Sequence, residues 1–219
     1  MATKLFGFWR SLATFRVRIA LNLKGIAFDE VAIDLLKGEQ FSESYRAVNP
    51  QMVVPALVVG DGPALTQSLA IIDYLDETHP QPPLLPTAPR DRAYVRMLAQ
   101  IVACDAHPLV VPRIRSYLAD ELKLDEPARL KWIRHWSSKA LEAIETQLIA
   151  RAAAGKFCCG NAPTLADICL VSHVVGARLF EFDIASYPTA VRIADECLKI
   201  DAFALAHPLR QPGAPHSAQ

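Results

Sequence analysis

Residues 4–33 read KLFGFWRSLATFRVRIALNLKGIAFDEVAI, and this stretch decides the fold. Lys4 to Phe8 is a short aromatic and apolar run with strand character, and Leu12, Phe15, Ile19 and Leu23 then recur at helical spacing until Gly25 ends the pattern. Phe28 to Ile33 alternates as a second strand does. The segment therefore predicts a β-α-β unit, whose crossover is normally right-handed and joins parallel strands. Further on, Val53-Val54-Pro55 leads into the apolar run Ala56 to Val59, and Gly60-Asp61-Gly62 before Ala64-Leu65 predicts an antiparallel hairpin. Ser68 to Thr78 carries Leu69, Ile72 and Leu75 at helical spacing, with Ser68 or Thr66 as its cap. The expected order is β-α-β followed by β-β-α.

The segment His79-Pro80-Gln81-Pro82-Pro83-Leu84-Leu85-Pro86 cannot continue a helix and reads as a stiff linker. Beyond it, Arg90 to Leu118, Glu126 to Ala154, Thr164 to Phe180 and Thr189 to Ala206 repeat apolar residues three and four apart. Thr164-Leu165-Ala166-Asp167 has the spacing of a capping box, with Asp in place of the commoner Glu or Gln. The pattern predicts an α+β domain over residues 1–80, a linker over 81–89 and an all-α helical domain over 90–219, with a frayed tail from Pro208.

Lys plus Arg and Asp plus Glu balance at 23 each, so no basic field exists to hold nucleic acid. The opening apolar run is too short for a signal peptide, and no stretch free of charge approaches a membrane span. A cytoplasmic location is expected. Cys104, Cys158, Cys159, Cys169 and Cys197 form no Cys-x-x-Cys pair and no zinc-like cluster with histidine, which predicts reduced, structural thiols and no metal.

Several segments together resemble the glutathione transferase superfamily, and within it the zeta class of maleylacetoacetate and maleylpyruvate isomerases. They are Trp9-Arg10-Ser11 leading into Phe15-Arg16-Val17-Arg18-Ile19-Ala20-Leu21, then Val54-Pro55, Leu65-Thr66-Gln67-Ser68-Leu69-Ala70-Ile71-Ile72-Asp73-Tyr74-Leu75, and Ala103-Cys104-Asp105-Ala106-His107-Pro108-Leu109. Thr164 to Asp167, Ala177-Arg178, Tyr187-Pro188-Thr189, His207-Pro208 and Gln211-Pro212 extend the match over nearly the whole chain. Each is weak alone; their order and spacing are specific. The resemblance implies a thioredoxin-like first domain, an all-helical second domain, glutathione as cofactor, a small carboxylic acid as substrate, a homodimer and a place in aromatic amino acid catabolism.

The resemblance also implies the site residues. Ser11, close to the start of the first helix, corresponds to the serine that hydrogen-bonds the glutathione sulfur. Lowering a thiol pKa of about 8.5 by roughly two units, about 2.7 kcal/mol, makes the thiolate predominant at neutral pH, and a hydroxyl plus a helix end can supply that. A cis Pro55 would leave the Val54 amide and carbonyl free to pair with an extended peptide. Gln67 and Ser68 fall at a helix start, where free amides and the dipole suit a carboxylate; Ser68 can equally be a simple cap. Gln40 and His107 complete the implied glutathione contacts, although a lone helical histidine is more often structural.

On the substrate side the resemblance implies Arg10, Leu12, Ala13, His107, Val111 and Arg178. A guanidinium fork holds a carboxylate in one orientation, which an isomerase needs while its substrate rotates. Arg178 fits an ordinary surface ion pair equally well, and solvent exposure or domain-contact pairing is expected for Arg16 and Arg18. Leu12 and Ala13 stand where the family usually carries polar residues, and Val110-Val111 stand where it often carries amides. The pocket is therefore expected to be drier, and Ala13 argues against a dehalogenase chemistry that needs a motif cysteine. Three functions remain open at this level: isomerisation of an unsaturated oxo-dicarboxylic acid, conjugation or dehalogenation of small α-halo acids, and non-catalytic glutathione binding.

Overall fold

The computed structural model describes residues 2–151 and 155–215. The chain divides into two compact units, one running to Pro83 and resuming at Ile200, the other Leu84–Lys199. The first unit contains strands β1 (Thr3–Gly7), β2 (Asp29–Ala32), β3 (Ala56–Val59) and β4 (Leu65–Thr66), with helices α1 (Leu12–Leu23), α2 (Glu43–Val48), α3 (Ser68–Thr78) and α9 (Asp201–Ala206). The second contains α4 (Pro89–Gln100), α5 (Pro112–Asp120), α6 (Glu126–Ala150), α7 (Leu165–Leu179) and α8 (Pro188–Leu198).

The strands lie in the order β2-β1-β3-β4. β1 pairs parallel with β2, Leu5 opposite Glu30, and antiparallel with β3, Leu5 opposite Leu57; β4 closes the hairpin on β3. The β-α-β unit and the hairpin follow the expected order. Gly7 lets α1 lie close to β1, because a Cβ there would sit 2.4 Å from Thr14 Cγ2 and 2.7 Å from Glu30 Oε1. α2, which the sequence pattern did not predict, spans six residues and buries only Tyr45, too little for periodicity to register.

From Ala13 to Leu21 every residue of α1 is buried. One reason is α9, which packs on α1 and accepts a 3.0 Å hydrogen bond from Asn22 Nδ2 at the Ala202 carbonyl. The segment from Ile200 thus belongs with the first unit, whereas the sequence placed it in the helical domain. The tail also departs from expectation: Pro208–Arg210 forms a 3₁₀ turn with Pro208 buried; residues 216–219 lie outside the described residues.

Arg16 and Arg18 are not exposed, being 2% and 1% accessible. Arg18 grips Glu30 through Nε at 2.7 Å and its terminal nitrogen at 2.5 Å, and also donates to the Phe8 and Trp9 carbonyls. Arg16 Nε donates to Ser68 Oγ at 3.0 Å. Both cations are buried because the first unit supplies acceptors for them. Lys24 ends the same helix with its ammonium 2.6 Å from Asp76 Oδ1 and 2.6 Å from the Pro82 carbonyl, tying the linker down.

In the second unit the expected continuous helix from Arg90 to Leu118 is interrupted. Ile101–Ala106 is π-helical, His107–Leu109 is a 3₁₀ turn, and α5 begins anew at Pro112, since Pro108 and Pro112 have no N–H to extend a ladder. The expected end of the next helix at Ala154 lies outside the described residues; α6 is described to Ala150. α8 and α9 are two helices, not one, separated at Lys199 and Ile200.

α7 is buried from Leu165 to Ala177 and packs against α4 and α8. Its start is held by Asp167, which has no exposure and accepts from the Thr164 amide at 2.8 Å, the Thr164 hydroxyl at 2.7 Å and the Cys158 amide at 2.8 Å. Burial pushes the Asp167 carboxyl up, against those donors. The five cysteines are free thiols; burial raises Cys158 far above its ordinary value, and raises Cys197 and Cys159 as well. Asp167→Ala strands three donors in the core, so urea melts should show a loss of roughly 3–5 kcal/mol with an unchanged m-value. A loss below about 1 kcal/mol would remove Asp167 as the anchor of α7.

Candidate functional site

Three backbone features of the first unit converge on one kind of chemistry. The first is the start of α1. Ser11 adopts φ −69°, ψ 116° and caps the helix, its Oγ accepting from the Thr14 amide at 3.2 Å. A capping hydroxyl uses its oxygen as acceptor and keeps its own hydrogen to donate. Ser11 is half-buried, and its amide closes a turn onto the Phe8 carbonyl at 2.9 Å.

The second is the bend before β3. The Val54–Pro55 bond is cis, as the sequence reading required, and among the described residues no group hydrogen-bonds the Val54 amide or carbonyl. Those two groups are presented in the manner of an unpaired strand edge. The residue before them is held firmly: Tyr45 Oη donates to the Val53 carbonyl at 2.6 Å and Asn49 Nδ2 donates to the same oxygen at 2.7 Å. Val54 itself packs in a small cluster with Phe8, Ile33 and Tyr45, against which Trp9 also lies.

The third is the start of α3. Gln67 stands at φ 67°, a left-handed conformation uncommon for a non-glycine residue, and its exposed side chain reaches Gln51 Oε1 at 3.0 Å. Ser68 does not cap the helix; it is the first helical residue, buried, with its Oγ taken by Arg16. The leading amides of α3 therefore have no side-chain cap.

Around these features, Arg10 is half-buried with its guanidinium 5.6 Å from the Trp9 ring centre, and no carboxylate of the described residues pairs with it. Leu12 is half-buried and Ala13 buried, so the first turn of α1 carries no polar side chain beyond Ser11 until Thr14. Gln40 has a buried Oε1 without a partner among the described residues.

The remaining candidates lie in the second unit. His107 opens the 3₁₀ turn after the π-helical segment, and Trp132 Nε1 fixes that turn by donating to the Leu109 carbonyl at 2.8 Å. Val110 and Val111 follow, half-buried and apolar. Arg178, near the end of α7, makes a 2.8 Å ion pair with Asp195 of α8 and is exposed. Of its two readings, the ion pair is the interaction it makes. No three His, Cys, Asp or Glu side chains among the described residues group to hold a metal.

Sequence reasoning missed Tyr45, Asn49 and Arg16. Asn49-Pro50 is a turn signal, but nothing in the pattern says that its amide reaches forward to Val53. Arg16 was readable only as a charge on a helix.

Residues 5–83 match the glutathione S-transferase N-terminal domain, which defines the class of the first unit. A solved maleylacetoacetate isomerase from Methylobacterium extorquens AM1, with bound malonate and glutathione, is 55% identical, covers 97% of this chain and 99% of its own, and superposes with a TM-score of 0.95. A probable maleylacetoacetate isomerase from Vibrio cholerae is 41% identical over 98% of this chain and 99% of its own, and a maleylpyruvate isomerase from a Ralstonia species is 43% identical over 95% and 98%. The chain belongs to the zeta-class glutathione transferase family of maleylacetoacetate and maleylpyruvate isomerases.

Burial pushes the Tyr45 phenol up to about 12 from an ordinary 10, the Asn49 side chain opposing it. A phenol that keeps its proton longer when folded binds more protons in the folded than in the unfolded chain above pH 10, so stability should fall as pH rises from 10 towards 12. Tyr45→Phe should flatten that decline in urea titrations taken across this range; an identical slope would show that Tyr45 is not its source.

Proposed function

We propose that the first unit binds glutathione and that this enzyme uses it to isomerise a cis unsaturated oxo-dicarboxylic acid of the maleylacetoacetate type. The observation that carries the reading is the cis Val54–Pro55 bend with its unengaged amide and carbonyl, in the same unit as two helix starts. The residues present fit the tripeptide: an extended backbone for Val54, open amides at α3 with Gln67 and Ser68 for its γ-glutamyl carboxylate, and the orphaned Gln40 Oε1 for a donor.

Bound there, glutathione supplies a nucleophilic sulfur whose reversible addition turns the double bond into a single bond free to rotate before the sulfur leaves. In this reading Ser11 Oγ, which accepts from the Thr14 amide, donates its own hydrogen to that sulfur and favours the thiolate. The N-terminal end of α1 adds a partial positive charge next to Ser11. Arg10, with no carboxylate partner among the described residues, is the group for a substrate carboxylate and for negative charge that develops on the adjoining carbonyl. Leu12 and Ala13 add no polar side chain beside them, which strengthens both interactions. Arg178 is already engaged by Asp195, so the carboxylate load falls first on Arg10. Chemistry that requires a cysteine two residues after the serine has no group to use, since Ala13 stands there. A homodimer in the cytoplasm is part of the same reading.

Glutathione-dependent isomerisation of maleylacetone or maleylpyruvate should be measurable on the wild type, and Ser11→Ala should lower kcat/KM roughly 10–100-fold with a raised pKa for the bound thiol. An unchanged rate would take Ser11 out of the mechanism; retention on immobilised glutathione without turnover would leave a binding protein. Tyr45→Phe combined with Asn49→Ala frees the Val53 carbonyl and should raise the KM for glutathione about tenfold, with kcat within about twofold.

A further inference from the structure

The tail from His207 to Pro215 has no place in the reading above, and it is built into the first unit rather than frayed. His207 sets its ring edge-on to the buried Phe15 of α1, centroids 6.0 Å apart. Gln211 Nε2 then donates to two carbonyls at once, Leu205 at 2.7 Å and His207 at 3.0 Å, folding the chain back on α9. The Ala214 amide bonds the Gln211 carbonyl at 3.1 Å, closing a four-residue turn with Pro212 and Gly213 at its centre. Gly213 sits at φ +86°. Proline followed by a glycine of positive φ is the signature of a type II turn.

That turn lies on a residue of the site. A Cβ on Gly213 would be 3.7 Å from Trp9 Cδ1, so the turn passes beside the indole. Trp9 carries the Arg10 guanidinium 5.6 Å from its ring centre and packs against the cluster that includes Val54. A guanidinium over an indole is an electrostatic attraction that depends on where the ring stands. With no carboxylate of the described residues holding Arg10, the Trp9 ring is what positions it.

We infer that the Gln211–Ala214 turn is a positioning element of the active site: it holds Trp9, and Trp9 sets the Arg10 guanidinium for the carboxylate of a dicarboxylic acid. This rests on Arg10 being the carboxylate group of the proposed site. Trp9 and the turn touch no reacting atom in this scheme; they act through Arg10.

Malonate is the probe, titrated calorimetrically into the full chain saturated with glutathione. A chain ending at Arg210 should bind malonate about tenfold more weakly, Gln211→Ala and Trp9→Leu should move the same way, and the truncated chain and Gln211→Ala should bind glutathione within about twofold of wild type. In an Arg10→Gln background the truncation should add no further loss, a coupling that a purely stabilising tail would not produce. Unchanged malonate affinity in the truncated chain, an equal loss for glutathione, or the same fold-loss with and without Arg10 would each overturn the inference, as would a wild type that binds no malonate. Coupled malonate binding by an enzyme that isomerises nothing would instead sink the isomerase reading and leave the positioning role standing.

Discussion

The guanidinium of Arg16, shut inside the first unit, donates to the hydroxyl of Ser68, and the geometry of the site follows from that bond. A cation removed from water must keep its acceptors or destabilise the fold by several kcal/mol, on the order of 3–5 when one partner is lost. α1 therefore cannot slide or turn against α3 without stranding a charge. Arg18 makes the same statement towards β2 through Glu30, and Lys24 towards the far end of α3 and the linker through Asp76 and the Pro82 carbonyl. One helix thus carries three buried cations that register it against its neighbours, and the helix starts at Ser11 and Ser68 inherit their placement.

Much of this architecture was legible in the pattern of residues. The alternation in Lys4–Phe8, the helical spacing through Leu23 and the Gly60-Asp61-Gly62 turn are local signals, and local signals survive folding when tertiary packing agrees with them. What escaped detection was non-local or short. α2 is six residues long. The breaks at Pro108 and Pro112 were visible as residues, but apolar periodicity on either side hid them in a single helical run. α9 reads as helix yet packs on α1, a fact set by which face finds a partner.

The site shows the same division. Val54–Pro55 and Ser11 could be picked out through the family resemblance, since taken alone a proline favours the trans bond and a serine before a helix a plain cap. Ser68 was half-read: a serine at a helix start is usually a cap, but here the acceptor is claimed by Arg16, whose burial no local rule foretells. Arg16 and Arg18 were misjudged for a related reason, since charged residues two apart on a helix look like surface until their acceptors are known. Tyr45 and Asn49 act on Val53 across a turn, and that pairing exists only in three dimensions.

The sulfur chemistry of the second unit has a consequence for an enzyme that lives among low-molecular-weight thiols. Disulfide exchange needs a thiolate as the attacker, and the rate falls with the fraction ionised. Cys158 and Cys197, packed beside the Asp167 carboxylate, and the neighbouring Cys159 all hold their protons more tightly than a free cysteine. Cys158 and Cys197 are in addition fully buried, so exchange with an oxidised low-molecular-weight thiol is disfavoured there by lack of access as well as by the retained proton.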